Sequence, residues 1–383
     1  MARICVLVPY HWGASRGGAE LQAHLLADYL HRTTTHEIVY LARHVPDDLQ
    51  PYRYEIRQFG TSGWLRRESW GHTPNALDLY RALKELAPDV IVHMVASAFT
   101  GVAVLYARIH HALFYWYLAS DMDVERFPNV GVRSPMRHLD RLVFRFGALY
   151  SDFVVAQTRA QAERLRQNLG RMASLQIGNF FEVPALEPEK REVFTVVWIA
   201  NLKGLKRPEL FVELARRVSP SLCIDFRMIG KPSEIEQERL VMKMSCGLSN
   251  FAYLGELSLS EVEIELAGAH LLVNTSDYEG FPNTFIQAWQ QEVPVYSLNV
   301  DPDGVLELQG IGKRLVTMDR LCDAVIEAHS HREELAQAGE RARAYAAENH
   351  SMANARRLLD HIEEQIGLRN VEKTQTQKLV PPT

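Results

Sequence analysis

The chain has 383 residues, 47% hydrophobic and 23% charged, a composition that excludes a disordered or low-complexity protein; at roughly 100–200 residues per domain it predicts two or three domains. Cys5, Cys223, Cys246 and Cys322 are scattered without a CxxC pair or a His at ligand spacing, so neither a disulfide framework nor a zinc site is expected, and a reducing compartment is. The formal net charge is −5, with 20 Lys and Arg against 16 Asp and Glu over residues 1–180 and 22 against 31 over 181–383. No basic stripe of the strength that nucleic-acid binders carry is present, which favours a small charged substrate over a polyanion.

In chain order, MARICVLVPY enters an apolar run without the regions of a secretory signal, so export is not expected. Short apolar, β-rich runs predict strands at 3–9, 36–42, 89–95, 112–118 and 153–158, and a second series at 194–201, 223–230, 251–254, 270–275 and 293–298. Between them lie segments of helical period, such as Leu21, Leu25, Leu26, Tyr29 and Leu30, or Leu210, Phe211, Leu214 and Val218. The most apolar stretch, 90–107, is interrupted by His93, Ser97, Thr100 and Gly101 and reads as a buried strand and a core helix, not a bilayer span. Several strands are nearly continuous apolar runs, as expected when helices cover both faces of a parallel sheet, so the chain predicts two doubly wound α/β halves. The linker is expected at 182–192, EVPALEPEKRE, between domains at 1–182 and 192–348. Ser351 is the expected cap of a helix over 351–366, and 367–383 is expected to be poorly ordered.

The first strand leads into YHWGASRGGAELQAHLL, where Gly13, Gly17 and Gly18 precede an amphipathic helix. Such glycines let backbone N–H groups approach an anion at the positive helix end, or serve only a tight strand-to-helix turn. The run is not GxGxxG, and the acidic ribose partner expected about 20 residues on is not evident. TSDYEGFPNTFIQAWQ repeats the arrangement in the second half. Glu279 and Gly280 lie in the turn, Pro282 suits the first helical position, and Phe285, Ala288 and Trp289 face inward. Asn283, Thr284 and Gln287 share the adjacent face, so a diphosphate flanked by two hydroxyl-bearing rings matches the set. Upstream, VVWIANLKGLKRPELFVELA ends a strand at Asn201 and clusters Lys203, Lys206 and Arg207 before Pro208. A lysine there reaches a phosphate as a point charge, or is a solvated cationic turn.

Gly-Gly-Ala-Glu at 17–20, Lys-Arg-Pro at 206–208 and above all Glu-Gly-Phe-Pro-Asn at 279–283 resemble the retaining, nucleotide-sugar-dependent glycosyltransferases of family 4, in order over residues 1–365. The resemblance implies the GT-B fold: two Rossmann-like doubly wound domains facing across a cleft, an N-terminal acceptor domain and a C-terminal nucleotide-sugar domain. The C-terminal helix is then expected to pack back on the first domain. It implies transfer of a hexose-type sugar from a nucleotide-diphosphate sugar to a glycan, lipid-linked or small-molecule hydroxyl, in polysaccharide or glycoconjugate biosynthesis, without a cofactor. By the same resemblance Glu279 with the amides of Gly280 and Phe281 holds the donor sugar, and Lys206 with Gly17 and Gly18 the diphosphate. Pro282, Asn283 and Thr284 lie at the phosphate-binding helix end, Gln287 on the ribose, and Gly230 and Tyr253 beside the base. Two positions depart from the family: Gln287 replaces its second glutamate, and Asn201 replaces an arginine, which leaves more of the phosphate charge to Lys206.

Asp121-Met-Asp123 and Asp301-Pro-Asp303 spell DxD, a metal-diphosphate signature of another glycosyltransferase architecture, but Asp-Pro-Asp-Gly is also a good turn and no metal is expected. Asp121 follows a strand at its carboxyl end, where open α/β sheets place ligands; it is a candidate to contact the acceptor or the developing positive charge, or to cap a helix. His93 reads as a substrate contact or a satisfied core histidine. Arg133, Arg137, Arg141 and Arg145 recur every four residues beside Leu142, Phe146 and Leu149, a stripe that suits an anionic lipid surface or is simply solvated. A cytoplasmic enzyme is the expected setting, with a peripheral position at the inner face of the membrane as the alternative that the arginine stripe leaves open. The rivals are another GT-B activity, such as a nucleotide-sugar epimerase or a phosphorylase, and a catalytically silent sugar-nucleotide-binding subunit.

Overall fold

Two parallel sheets organise the chain, each with helices on both faces. The computed structural model describes residues 1–383 except 16, 47–51, 61–74, 126–134, 219–221 and 380–383, and divides into one unit of Met1–Phe180 with Met352–Thr383 and a second of Phe181–Ser351. The first unit contains β1 (Arg3–Tyr10), α1 (Gly18–Thr33), β2 (Glu37–His44), β3 (Glu55–Gln58), α2 (Ala76–Leu86), β4 (Val90–His93), α3 (Ala98–His110), β5 (Leu113–Tyr117), α4 (Pro135–Tyr150), β6 (Phe153–Ala156), α5 (Arg159–Leu169) and β7 (Leu175–Gln176). Their order across the sheet is β3-β2-β1-β4-β5-β6-β7, every pairing parallel. Strand β1 shows why its apolar run is continuous. Cys5 and Leu7 enter one core with Leu79, Leu83 and Phe99, whereas Ile4, Val6 and Val8 enter the opposite core with Leu26 and Leu30. Each such side chain contributes about 1.5–3 kcal/mol by leaving water.

Helices α3 and α4 meet backbone to backbone. A Cβ on Gly101 would lie 2.0 Å from the Val143 carbonyl oxygen, and one on Gly147 2.5 Å from the Gly101 nitrogen. Only glycine permits that approach.

The second unit contains β8 (Phe194–Ile199), α6 (Pro208–Arg217), β9 (Ile224–Ile229), α7 (Ile235–Ser245), β10 (Phe251–Tyr253), α8 (Leu259–Ala267), β11 (Leu271–Asn274), α9 (Asn283–Gln290), β12 (Val295–Ser297), α10 (Val305–Leu308), β13 (Gly312–Arg314), α11 (Met318–Ser330) and α12 (Arg332–Asn349). Its sheet runs β10-β9-β8-β11-β12-β13, again parallel throughout. Local chemistry sets the helix starts: Ser258 and Glu261 form a capping box on α8, Thr317 caps α11, and Pro208 opens α6.

Two boundaries differ from the sequence expectation. The segment 182–192 is no free linker but a strap on the second unit: the backbone N–H groups of Leu186, Glu189 and Arg191 donate to Glu263 Oε1, Ala267 O and Gly268 O, and Lys190 Nζ donates to Gln291 O. Its prolines break periodicity without detaching it. The last helix, α13 (Ala353–Leu379), runs through most of the stretch expected to be poorly ordered, because residues 368–379 contain neither Gly nor Pro. Ala355, Leu358, Leu359 and Ile362 of α13 are fully buried in the β1 core of the first unit. Among the described residues no helix is long and apolar enough to cross a membrane.

Candidate active site

In the second unit the chemistry gathers where β8 and β11 end. After β8 the chain passes Asn201, half-buried, and turns through Gly204–Lys206 into α6, with Arg207 in the left-handed region at φ 50°. After β11 it turns through Ser276 to Glu279 before α9. Lys206 Nζ donates to Glu279 Oε1, an ion pair whose side chains retain only 21% and 16% exposure. The two groups expected to serve phosphate and sugar are therefore mutual partners. Arg207, the neighbouring cation, is held by Glu209 at 2.6 Å and Asp277 at 3.3 Å.

Residues to which the sequence assigned no role hold this pair in place. The Thr275 hydroxyl accepts from the indole Nε1 of Trp198 at 2.8 Å and lies 2.7 and 2.9 Å from the Lys206 and Arg207 carbonyl oxygens, to which it donates. Asp277 N donates to the Leu205 carbonyl at 3.0 Å. Ser276 Oγ donates to Glu279 Oε1 at 2.8 Å. Thr275 opens the conspicuous motif, but its partners Trp198, Lys206 and Arg207 lie about 70 residues upstream, so only the fold reveals the contacts.

The turn into α9 differs by one position from its expected form. Pro282 caps the helix instead of occupying its first turn, and Asn283 and Thr284 are the first helical residues. Phe285, Ala288 and Trp289 are fully buried, whereas Gly280, Asn283, Thr284 and Gln287 are half-buried. Phe281 is buried, with its ring 4.4 Å from that of His350, so its side chain is a core contact and only its backbone is left for a sugar. At the end of β9, Gly230 N donates to Gly255 O at 2.8 Å and its carbonyl accepts from the Tyr253 hydroxyl at 2.9 Å. Burial raises the Tyr253 phenol. Asp301 and Asp303 form a turn in which Asp301 Oδ1 accepts from Leu306 N at 2.9 Å.

In the first unit Gly17 caps α1 and Gly18 is its first residue. A Cβ on Gly17 would meet Glu20 Oε2 at 2.1 Å, so the glycine makes room for a carboxylate at the positive helix end, where a phosphate was expected. His11, unremarked in the sequence, organises this loop: its Nδ1 accepts from Gly13 N at 3.0 Å and its carbonyl from the N–H groups of Ala14 and Ser15. Burial lowers its pKa to about 4 and keeps the ring neutral. His93 is fully buried with Nδ1 2.9 Å from the Leu7 carbonyl, a core position.

Asp121 opens a short 3-10 turn after β5 and accepts from Arg164 of α5; burial raises its pKa against that partner. The cap is Ser120, whose capping-box partner Asp123 accepts from the N–H groups of Ala119 at 2.7 Å and Ser120 at 3.0 Å and is pushed up to about 6 by burial. Of the arginine stripe, Arg141 and Arg145 lie on α4, whereas Arg133 and the side chain of Arg137 lie outside the described residues.

Two parallel α/β units with ligand-type residues at their strand ends are the architecture of GT-B glycosyltransferases. Residues 16–175 match the model for Glycosyltransferase Family 4 and residues 193–341 that for Glycosyl transferases group 1, and the chain belongs to this glycosyltransferase family. Its structure is similar to that of sucrose-phosphate synthase from Thermosynechococcus elongatus, at TM-score 0.77 and 14% identity over 96% of this chain and 100% of that one. It is similar also to WaaG, a glycosyltransferase involved in lipopolysaccharide biosynthesis, at TM-score 0.74 and 14% identity over 94% and 99%. Anabaena HepE in complex with UDP-glucose gives TM-score 0.73 and 14% identity over 95% and 100%. No curated protein sequence matches the chain.

Proposed function

We propose that this glycosyltransferase moves a hexose from a nucleoside-diphosphate sugar to a hydroxyl acceptor with retention of anomeric configuration and without a metal. The observation that carries the reading is the half-buried Lys206–Glu279 pair at the turn before α9. On binding, the diphosphate takes Lys206 and a sugar hydroxyl takes Glu279, with the amides at the start of α9 on the phosphates and Gln287 on the ribose. Breaking a sugar–phosphate bond requires stabilisation of the departing diphosphate and a positioned acceptor hydroxyl. Lys206 and the helix end supply the first, and Asp121 remains a candidate acceptor contact. UDP-glucose, bound by the similar HepE, is the first donor to test. In thermal shift against UDP-, GDP-, ADP- and CMP-sugars, the correct donor at about 100 times its Kd adds about 2.7 kcal/mol. NMR of the product is expected to show the donor's anomeric configuration, and EDTA to leave the rate unchanged. An inverted product rejects retention, and loss in EDTA restored by Mn2+ rejects the metal-free route.

We assign the acceptor to the lipid-linked class, with the enzyme peripheral at an anionic cytoplasmic membrane face. Helix α4 exposes Leu142 at 66% beside Leu139, Leu149 and Arg145, and α3, packed against it through glycine, exposes Leu105 and Ile109. Arg108 of α3 stands 5.1 Å over the Tyr150 ring of α4. An apolar face edged with arginines complements anionic headgroups over acyl chains. The protein is expected to co-sediment with phosphatidylglycerol vesicles but not with phosphatidylcholine, and Leu142→Glu to abolish it. Wild-type protein that stays in solution with both removes the membrane from the reading.

A further inference from the structure

We infer that Ser297, Asn274 and Ser276 form a one-way hydrogen-bond relay that aims the Glu279 carboxylate at the donor sugar, while the intervening Thr275 independently sets the backbone of Lys206. The inference rests on the nucleotide-sugar reading of this site.

The relay crosses the sheet. Parallel pairing of β11 with β12 puts Asn274 beside Ser297. Ser297 Oγ accepts from Val300 N at 3.0 Å, so its own proton is directed to Asn274 Oδ1 at 3.3 Å. That oxygen also accepts from Ser276 N at 3.2 Å, which fixes the amide: a flipped side chain would set NH2 against N–H. Asn274 Nδ2 then donates to Ser276 Oγ at 3.3 Å, and the single Ser276 hydroxyl proton goes to Glu279 Oε1 at 2.8 Å. Every side-chain donor in the chain points toward the carboxylate. Ser297, Asn274 and Ser276 are all buried, where such chains reinforce one another and unmade bonds are expensive.

Both described contacts of Glu279, from Lys206 and Ser276, fall on Oε1, which leaves Oε2 for a sugar hydroxyl. Thr275, one residue away, bonds Trp198 and the Lys206 and Arg207 carbonyls instead. The end of β11 thus divides the work by residue. Ser276, backed by Asn274 and Ser297, positions the group that reads the sugar, and Thr275 positions the group that takes the phosphate.

Calorimetry with UDP-glucose and UDP tests this division, with GDP-mannose and GDP or ADP-glucose and ADP substituted if one of those pairs stabilises the wild type more. Ser276→Ala is expected to weaken the sugar nucleotide about tenfold and the bare diphosphate by less than about twofold, since a bond to a charged group is lost. Placed on Glu279→Ala, it is expected to add nothing. Thr275→Val is expected to weaken both ligands together, with Thr275→Ser restoring them. Equal loss of both ligands in Ser276→Ala, or further loss of the sugar nucleotide on the Glu279→Ala background, overturns the relay and leaves Ser276 a structural residue. Wild-type protein that binds none of the pairs overturns the donor reading itself and the relay's role with it.

Discussion

Lys206→Ala is expected to lower kcat/KM for sugar transfer about a hundredfold. Asn201 stands where the resembled family carries an arginine, and Arg207 is held by two carboxylates, Glu209 and Asp277, so the diphosphate is assigned to Lys206, which among the described residues meets only the Glu279 carboxylate. A charge-stabilising donor at a leaving group is typically worth about 3 kcal/mol. The ion pair adds a second effect of the same sign, because removing Lys206 leaves the half-buried Glu279 carboxylate to repel the diphosphate. Nucleoside diphosphate affinity is therefore expected to fall in Lys206→Ala and to recover in part in the Lys206→Ala, Glu279→Ala double variant. Steady-state kinetics with calorimetry on the three proteins checks both statements, and a change in kcat/KM below threefold removes Lys206 from the site.

Gly230→Ala is expected to cost both stability and nucleotide binding. A Cβ there would lie 1.7 Å from the Ala200 carbonyl oxygen and 2.7 Å from its carbon. Neither backbone has room to retreat: Ala200 N donates to Ile229 O at 3.1 Å, and Gly230 N to Gly255 O at 2.8 Å. Relief comes by displacing the segment that follows β8, which carries Asn201 and Lys206. With overpacking of about 3 kcal/mol, the melting midpoint of this unit drops by roughly 6–12 °C. Gly255→Ala is the control, since a Cβ there meets no atom within 4 Å and only its φ of +73° opposes the change. A Gly230→Ala midpoint within about 2 °C of wild type would show that the carbonyl yields.

Central strands were legible in the sequence because burial on both faces writes them as unbroken apolar runs: Ile4 to Val8 and Leu271 to Val273 are all essentially inaccessible. Three of the four edge strands were not; β10 alone was expected, at 251–254. β3 reads Glu-Ile-Arg-Gln, β7 Leu-Gln and β13 Gly-Lys-Arg, short and mostly polar, and each is recognisable only through its neighbour. The strap at 182–192 reads as a linker because the groups that fasten it, Glu263, Glu265, Ala267, Gly268 and Gln291, lie some 74–105 residues further along the chain. The same distinction holds at the site. Glu279, Pro282 and Lys206 stand out in their motifs, yet the pairing of Lys206 with Glu279, of Asp121 with Arg164 and of Thr275 with Trp198 joins positions 43 to 77 residues apart. Local spacing carries no information about such partners.

The first unit is written in two pieces, Met1–Phe180 and Met352–Thr383, with the whole of the second between them. On the ribosome the inserted unit is therefore fully synthesised while its host still lacks α13. Until Ala355, Leu358, Leu359 and Ile362 emerge, the core that holds Ile4, Val6, Tyr115 and Ile177 has α1 on it but lacks α13. Maturation thus runs inside out, with the second unit free to close first and the N-terminal sheet completed only once α13 has left the tunnel. A premature stop between residues 351 and 355 would release a chain whose second unit is whole and whose first unit lacks the apolar face of α13 and is open to aggregation.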